Sequence, residues 1–144
     1  MKYAHTQRVP APALAAAGGV GFVAARVIPH PLLKAVAVGG MAWAAATFNC
    51  LTVEVHEEYI QVMFGNTMVK KRLEMADVAS SKQIRLNPLM GWGIHWVGNG
   101  WLYNVYGLDA VEVSLKNGSR FLIGTDEPTE LNAVINSVLE ARLP

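Results

Sequence analysis

Acidic residues are absent from the first third of this 144-residue chain, because no Asp or Glu precedes Glu54. Residues 1–53 contain four basic side chains and carry +4, whereas residues 54–144 hold eight basic and eleven acidic side chains and carry −3. Nucleic-acid binding usually needs a basic face on the folded domain, so the acidic balance of the second part argues against it. The length leaves room for one compact domain with an appendage.

Cysteine is almost absent as well. Cys50 is the only one, which excludes an intrachain disulfide and a zinc site built from cysteines. A single free thiol also fits a reducing compartment. Neither observation points to a catalytic chemistry.

Two apolar runs occupy the acid-free region on either side of Pro29-His30-Pro31, at residues 13–28 with Arg26 inside and at residues 32–53. As helices they would measure about 24 Å and about 33 Å, against a hydrocarbon layer of roughly 30 Å. We therefore predict a tail and two-helix transmembrane hairpin in residues 1–50, followed by a β domain with a C-terminal helix in residues 51–144.

Basic residues near the ends of the two runs set the expected orientation. Lys2 and Arg8 before the hairpin, and three basic residues after it, outnumber Arg26 and Lys34 in the turn. The pattern predicts a multi-pass protein of the cell inner membrane with its domain in the cytoplasm. A secretory signal ending near residues 23–25 is one alternative. A soluble hairpin packed on the domain is another, although residues 35–48 lack a polar stripe.

Small residues recur every four positions in the first run, at Ala13, Ala17, Gly21 and Ala25. Gly40 and Ala44 repeat the spacing in the second. Such a stripe allows two helices to approach closely, but any alanine-rich run produces the same spacing by chance.

Short β-prone segments dominate the second half of the chain. Alternation starts at residues 53–55, turns at His56-Glu57-Glu58, and continues in a strand over residues 59–64 that ends at Gly65-Asn66. Further strands are predicted over residues 68–73, 81–86 and 101–106.

The segment 111–123 predicts a specific hairpin. A two-residue Asn117-Gly118 loop would mix the apolar and polar faces of its strands. A three-residue loop with Gly118 in the left-handed conformation instead pairs Val113 with Phe121 and Val111 with Ile123. Consistency of the two faces favours the three-residue loop.

A terminal helix is predicted after Thr125-Asp126-Glu127-Pro128, which supplies a cap, acids for the positive helix end and a proline tolerated in the first turn. Its apolar residues follow helical spacing on one face, namely Leu131, Val134, Ile135, Val138 and Leu139. An all-antiparallel sheet closed by this helix is the simplest architecture.

Several segments taken together resemble bacterial membrane-anchored proteins with a pleckstrin-homology-like (PH-like) domain. They are Gly91-Trp92-Gly93-Ile94, the stretch 103–107, Ala110-Val111-Glu112-Val113, and Gly124 through Pro128. The resemblance covers residues 51–144 and implies an α+β fold, in which a partly open antiparallel β barrel or sandwich of about seven strands is capped by the C-terminal helix. It implies no catalytic residues and no cofactor.

Motifs that suggest chemistry have simpler structural explanations. His56-Glu57-Glu58 begins like a zinc-protease motif, but Ile60 stands where the second histidine is needed, so a turn is expected. His95 has no second ligand near it in sequence, and we expect a hydrogen-bonded sheet histidine. The glycines of residues 91–100 lack the following Lys-Ser or Lys-Thr of a phosphate loop. We expect no enzyme activity, no metal and no small-molecule substrate.

Two groups of residues are candidates for binding. A basic group could contact anionic lipid headgroups or be a solvated strand pair: Lys70, Lys71, Arg72, Lys82 and Arg85. An aromatic group, Trp92, Trp96 and Trp101, could form an interaction surface or a membrane-interface anchor, and we expect at least one of the three in the core. The leading hypothesis is a membrane-tethered module that binds a protein partner or its own copies, with a lipid-headgroup sensor as the alternative.

Overall fold

The computed structural model describes residues 1–65 and 69–143, and over these residues the protein is an α+β structure with two sheets and three helices. The first part of the chain forms strand β1 (Tyr3–Arg8), helix α1 (Ala11–Val27), helix α2 (Pro31–Thr47), and strands β2 (Cys50–Val55), β3 (Tyr59–Phe64) and β4 (Val69–Glu74). The second part forms β5 (Val78–Arg85), β6 (Gly93–Trp96), β7 (Gly100–Asn104), β8 (Asp109–Leu115), β9 (Arg120–Gly124) and α3 (Pro128–Glu140).

The strands form one sheet in the order β1-β2-β3-β4 and another in the order β5-β8-β9-β7-β6. Both sheets turn apolar side chains into one core, to which Val55 and Phe64 contribute from the first sheet and Val111 and Phe121 from the second. Residues that alternate along these strands are buried because one face of each sheet faces the other layer.

Helix α3 packs on β5 and β8 and buries the face predicted from its sequence. Leu131, Ile135 and Val138 lie in the core. The Thr125 hydroxyl accepts a hydrogen bond from the Glu127 backbone N–H at 3.0 Å, just before the helix begins at Pro128. The predicted start and buried face of this helix are confirmed.

The two apolar runs do form helices, but the predicted transmembrane hairpin is wrong. Each helix has 17 residues, which is about 25 Å. Within residues 1–65 and 69–143, no helix is long and apolar enough to cross a membrane. The prediction of a multi-pass inner-membrane protein is overturned with it.

The second apolar run is longer than the helix that it forms, because the same run also contains the start of a strand. Helix α2 ends at Thr47, and the apolar residues from Cys50 onward form β2, whose inward positions pack in the core. The hydropathy of an apolar segment does not distinguish a buried strand from a helix. The length of the run therefore did not measure the length of the helix.

Strand β1 lies within residues 1–50, for which the sequence predicts a tail and a hairpin but no strand. It pairs antiparallel with β2, from Tyr3 opposite Val55 to Arg8 opposite Cys50. The helical hairpin is consequently a long insertion between two neighbouring strands of one sheet.

The strand pairings confirm one detailed prediction and correct another. Strands β8 and β9 pair Val113 with Phe121 and Val111 with Ile123, and Gly118 has φ +87°, as the three-residue loop requires. The expectation of an all-antiparallel sheet is wrong at β7 and β9, which are parallel. The predicted turn at Gly65-Asn66 and the start of a strand at Met68 include positions outside the described residues.

Candidate interaction surface

The helical hairpin exposes apolar side chains on more than one side. No residue of α1 is buried, and in α2 only Thr47 is. Val20, Val23 and Val27 share one side of α1 and are mostly exposed, and Phe22 on another side is equally exposed. A helix that is apolar all round is normally covered rather than exposed to water.

The two helices of the hairpin contact each other closely at Gly21. A Cβ built on Gly21 would lie 2.5 Å from the Met41 Cε, so a larger residue there would require the flexible end of the Met41 side chain to move. Gly40, which the spacing argument placed on a matching stripe, has open space around its Cα instead. Of the two glycines in the predicted stripes, Gly21 therefore lies at the contact between the helices and Gly40 does not.

Charge on the hairpin is confined to the tip, by which we mean the connection between α1 and α2 together with Arg26 and Lys34. Arg26 lies in the last turn of α1, and its guanidinium carbon is 4.7 Å from the centroid of the Phe22 ring. Lys34 lies in the first turn of α2. The tip is therefore cationic, and no acidic residue occurs in either helix.

A chain of aromatic rings fixes the base of the hairpin to the core. Phe48, which follows α2, contacts Phe64 edge-on at 5.0 Å between centroids, and Phe64 contacts Tyr103 at 5.6 Å. Tyr103 in turn contacts Phe121 at 4.8 Å, and burial raises the pKa of Tyr103. These contacts hold the end of α2 against both sheets.

An exposed aromatic loop lies at the same end of the β structure. The Gln7 side-chain amide donates a hydrogen bond to the Tyr106 carbonyl at 2.9 Å. Gln7 lies near the end of β1, three residues before Pro10, the residue that precedes α1. Tyr106 stacks on Trp92 at 5.6 Å between centroids, and Trp92 is 58% exposed. Leu89, in the loop before it, is 93% exposed. We call Leu89, Trp92 and Tyr106 the aromatic root.

The other two candidate tryptophans lie at the far end of β6 and β7. Trp96 and Trp101 are directly opposite each other in the pairing and make an edge-on contact at 5.4 Å. They are 58% and 45% exposed. The expectation that at least one of the three tryptophans is in the core is therefore wrong.

Arg120 connects the turn between β6 and β7 to the neighbouring strands through an ion pair and a hydrogen bond. Arg120 on β9 donates from Nη1 to the Glu112 carboxylate at 3.0 Å and from Nη2 to the Val97 carbonyl at 2.9 Å. Gly100 lies directly against Arg120, where a Cβ would collide with the Arg120 backbone. The turn that carries Trp96 and Trp101 is thus positioned by a side chain from the sheet interior.

The five basic candidates are divided between the two sheets. Lys70, Lys71 and Arg72 are exposed on β4, at the edge of the first sheet, whereas Lys82 and Arg85 lie on β5, at the edge of the second.

Three of these five cations already face a carboxylate. Arg72 binds Glu74 at 2.7 Å, and this hydrogen bond raises the pKa of Arg72. Its guanidinium carbon also lies 3.7 Å from the Tyr59 ring centroid. Lys82 is 3.3 Å from Glu112, and Arg85 is 3.2 Å from Asp109. These pairs reduce the positive potential that an anionic headgroup would meet.

A polar cluster that the sequence did not indicate joins β1 to the start of α3. The Tyr3 hydroxyl donates to Glu127 at 3.0 Å, and His5 Nε2 lies 2.7 Å from an Asp126 oxygen. Burial, together with the hydrogen bond to Glu127, raises the pKa of Tyr3. No local signal could have found this cluster, because its two halves are more than 120 residues apart in sequence.

The remaining histidine expectations are confirmed. His56 lies in the turn between β2 and β3, where its ring stacks on Tyr59 at 4.3 Å between centroids. His95 lies on β6 and hydrogen-bonds the Trp92 carbonyl. His56 thus packs within a turn, and His95 is a hydrogen-bonded residue of a strand.

Comparison of this sequence with protein-family models gives no match, and comparison with curated proteins also gives none. The resemblance to PH-like proteins consequently stays a prediction, and the surface itself is the basis for assigning a function.

Proposed function

We propose that this protein is a non-enzymatic self-association module, in which the helical hairpin of one copy docks on the hairpin of another. The observation that carries the proposal is the exposure of apolar side chains along both helices, which contact each other but bury only Thr47. Each docked copy brings a β domain with its exposed tryptophans to the assembly. The PH-like resemblance is compatible with such a role.

The size of the hairpin supports a copy of itself as the occupant. Each helix is about 25 Å long, and two packed helices have axes about 10 Å apart, so the pair is about 20 Å wide. One face of the hairpin therefore has a projected area of roughly 500 Å². Accessible area exceeds projected area on a corrugated surface, so one face approaches the roughly 800 Å² that each partner in a stable complex buries. A monomer seldom leaves an apolar patch of this size uncovered.

The composition of the hairpin also supports a matching partner. Both helices lack acidic residues, so they offer no carboxylate to a cationic protein, and their outward side chains are mainly Val, Leu, Ala and Gly. A second hairpin supplies the same apolar surface, and a two-fold axis makes one patch complementary to itself. Burial of this surface is the driving force.

Sedimentation velocity on the full-length chain over a range of concentrations tests the proposal. We expect reversible dimers or larger oligomers in the wild type. Val36→Glu, on the exposed surface of α2, should shift the chain to monomer because a carboxylate would enter an apolar interface. Leu143→Glu is the matched control, since Leu143 is equally exposed but lies beyond α3, and it should sediment like the wild type.

Two results would contradict the proposal. One is a wild-type chain that stays monomeric at every concentration. The other is a monomer that floats with phosphatidylcholine vesicles through the hairpin, or with phosphatidylserine vesicles through Lys70 and Lys71, because lipid would then be the occupant. Separate flotation of the two vesicle types, with Val36→Glu and with Lys70→Ala/Lys71→Ala, distinguishes these sources.

A further inference from the structure

We propose that the hairpins associate antiparallel about a two-fold axis, so that the cationic tip of each copy lies against the aromatic root of the other. This inference rests on the proposed self-association and specifies its geometry. It makes the interface larger than the helices alone, because Leu89 and Trp92 are added to it.

Electrostatics favours the antiparallel arrangement over the parallel one. In a parallel pair the two tips meet, and four cations, Arg26 and Lys34 from each copy, come together with no acidic residue in either helix to balance them. In an antiparallel pair the tips are about 25 Å apart, well beyond the screening length of about 8 Å at physiological salt. Each tip then lies near Arg8, the last residue of the strand that precedes α1, and away from the other tip.

The aromatic root offers the tip a favourable contact. Arg26 already lies over the ring of Phe22 within its own helix, and tryptophan is the ring that attracts a cation most strongly. Trp92 is more than half exposed, while its stack on Tyr106 fixes the ring. The Gln7 hydrogen bond to Tyr106 ties this ring pair to the strand that leads into α1. Trp92 is therefore exposed, and its stacking partner Tyr106 is joined to the strand that leads into the hairpin.

Disulfide mapping on the full chain tests the arrangement. In a Cys50→Ala background, His30→Cys places one thiol at the tip, and Leu89→Cys, in a second chain of different size, places one at the root. After mild oxidation of the mixture we expect tip-to-root heterodimers on a non-reducing gel, with few tip-to-tip dimers from His30→Cys alone. Sedimentation of the reduced variants first establishes that they still associate.

Failure of this inference is distinguishable from failure of the proposed function. Associated chains that cross-link tip to tip, or that form no tip-to-root product, overturn the antiparallel geometry and leave self-association intact. Chains that do not associate before oxidation overturn both.

A pair of tryptophan variants gives an independent readout. Trp92→Ala should weaken self-association about tenfold, because two symmetry-related cation–π contacts are lost. Trp96→Ala is the matched control, since Trp96 is equally exposed but lies at the opposite end of β6, and it should leave the association constant unchanged. Equal effects of the two variants would overturn the placement of the tip on the root.

Discussion

Replacement of Arg120 by methionine should destabilise the second sheet, because it removes a positive charge that pairs with the buried carboxylate of Glu112. Glu112 is only 8% exposed, and Arg120 is its closer partner, at 3.0 Å. The same guanidinium also donates to the Val97 carbonyl, which would lose its charged donor. Methionine keeps most of the side-chain volume, so the change isolates the charge and its hydrogen bonds.

The expected magnitude follows from the burial of the pair. Removing one partner of a fully buried ion pair costs about 3–5 kcal/mol. The Arg120 side chain is 32% exposed, and Lys82 remains 3.3 Å from Glu112 to compensate part of the charge. We therefore expect a loss of about 2 kcal/mol in the free energy of unfolding.

Urea denaturation of Arg120→Met, Glu112→Gln and the double variant measures this cost and the coupling between the two side chains. The coupling energy should be about 1 kcal/mol or more. Arg85→Met is the control: its pair with Asp109 is largely exposed, so its loss should cost less than about 0.5 kcal/mol. Equal losses for Arg120→Met and Arg85→Met would refute the reasoning from burial.

Three further outcomes are expected. Tyr3→Phe should lessen the loss of stability in alkali: folding raises the Tyr3 pKa above its ordinary 10.0, so this contribution is complete below pH 10 and is lost as the pH rises further. The raised pKa of Tyr103 contributes a loss of the same sign that remains in the variant. Thermal unfolding from pH 8 to 11 checks this, and identical profiles would contradict it. Gly65→Ala should lower the melting temperature, since Gly65 has φ +44° and its Cβ would strike the last carbonyl of α2. Trp43 lies on α2 and is 54% exposed. In single-tryptophan variants, acrylamide quenching of Trp43 should therefore fall as the protein concentration rises, while quenching of Trp96 stays constant; equal behaviour of the two would place the interface elsewhere.

Local patterns predicted the elements in which one face is buried. The loop at Gly118 and the pairing of Val113 with Phe121 followed from keeping apolar residues on one face, and the structure has both. Helix α3 followed in the same way from the spacing of Leu131, Ile135 and Val138. In each case the residues that share the buried face are close in sequence, so the pattern itself contains the constraint.

Features that depend on distant contacts were missed. Strand β1 has a mixed polar sequence, and its strand character comes from pairing with β2, more than 40 residues later. The parallel pairing of β7 and β9 depends on the path of β8 on the other side of β9. The tryptophans were misjudged because ring size indicates a core position on average, whereas Trp96 and Trp101 cover each other at an exposed turn.

The position of the hairpin between two paired strands has a consequence for folding that can be tested directly. No residue of α1 is buried, and Thr47 is the only buried residue of α2. Replacing residues 10–47 by a short Asn-Gly loop should therefore leave the β domain folded. Shortening the connection roughly tenfold also reduces its closure cost by about 2 kcal/mol. Retaining Phe48 preserves the contact with Phe64. We expect this variant to show cooperative unfolding and to sediment as a monomer; an unfolded product would mean that the hairpin stabilises the sheets, and a persistent oligomer would mean that the β domain, not the hairpin, joins the copies.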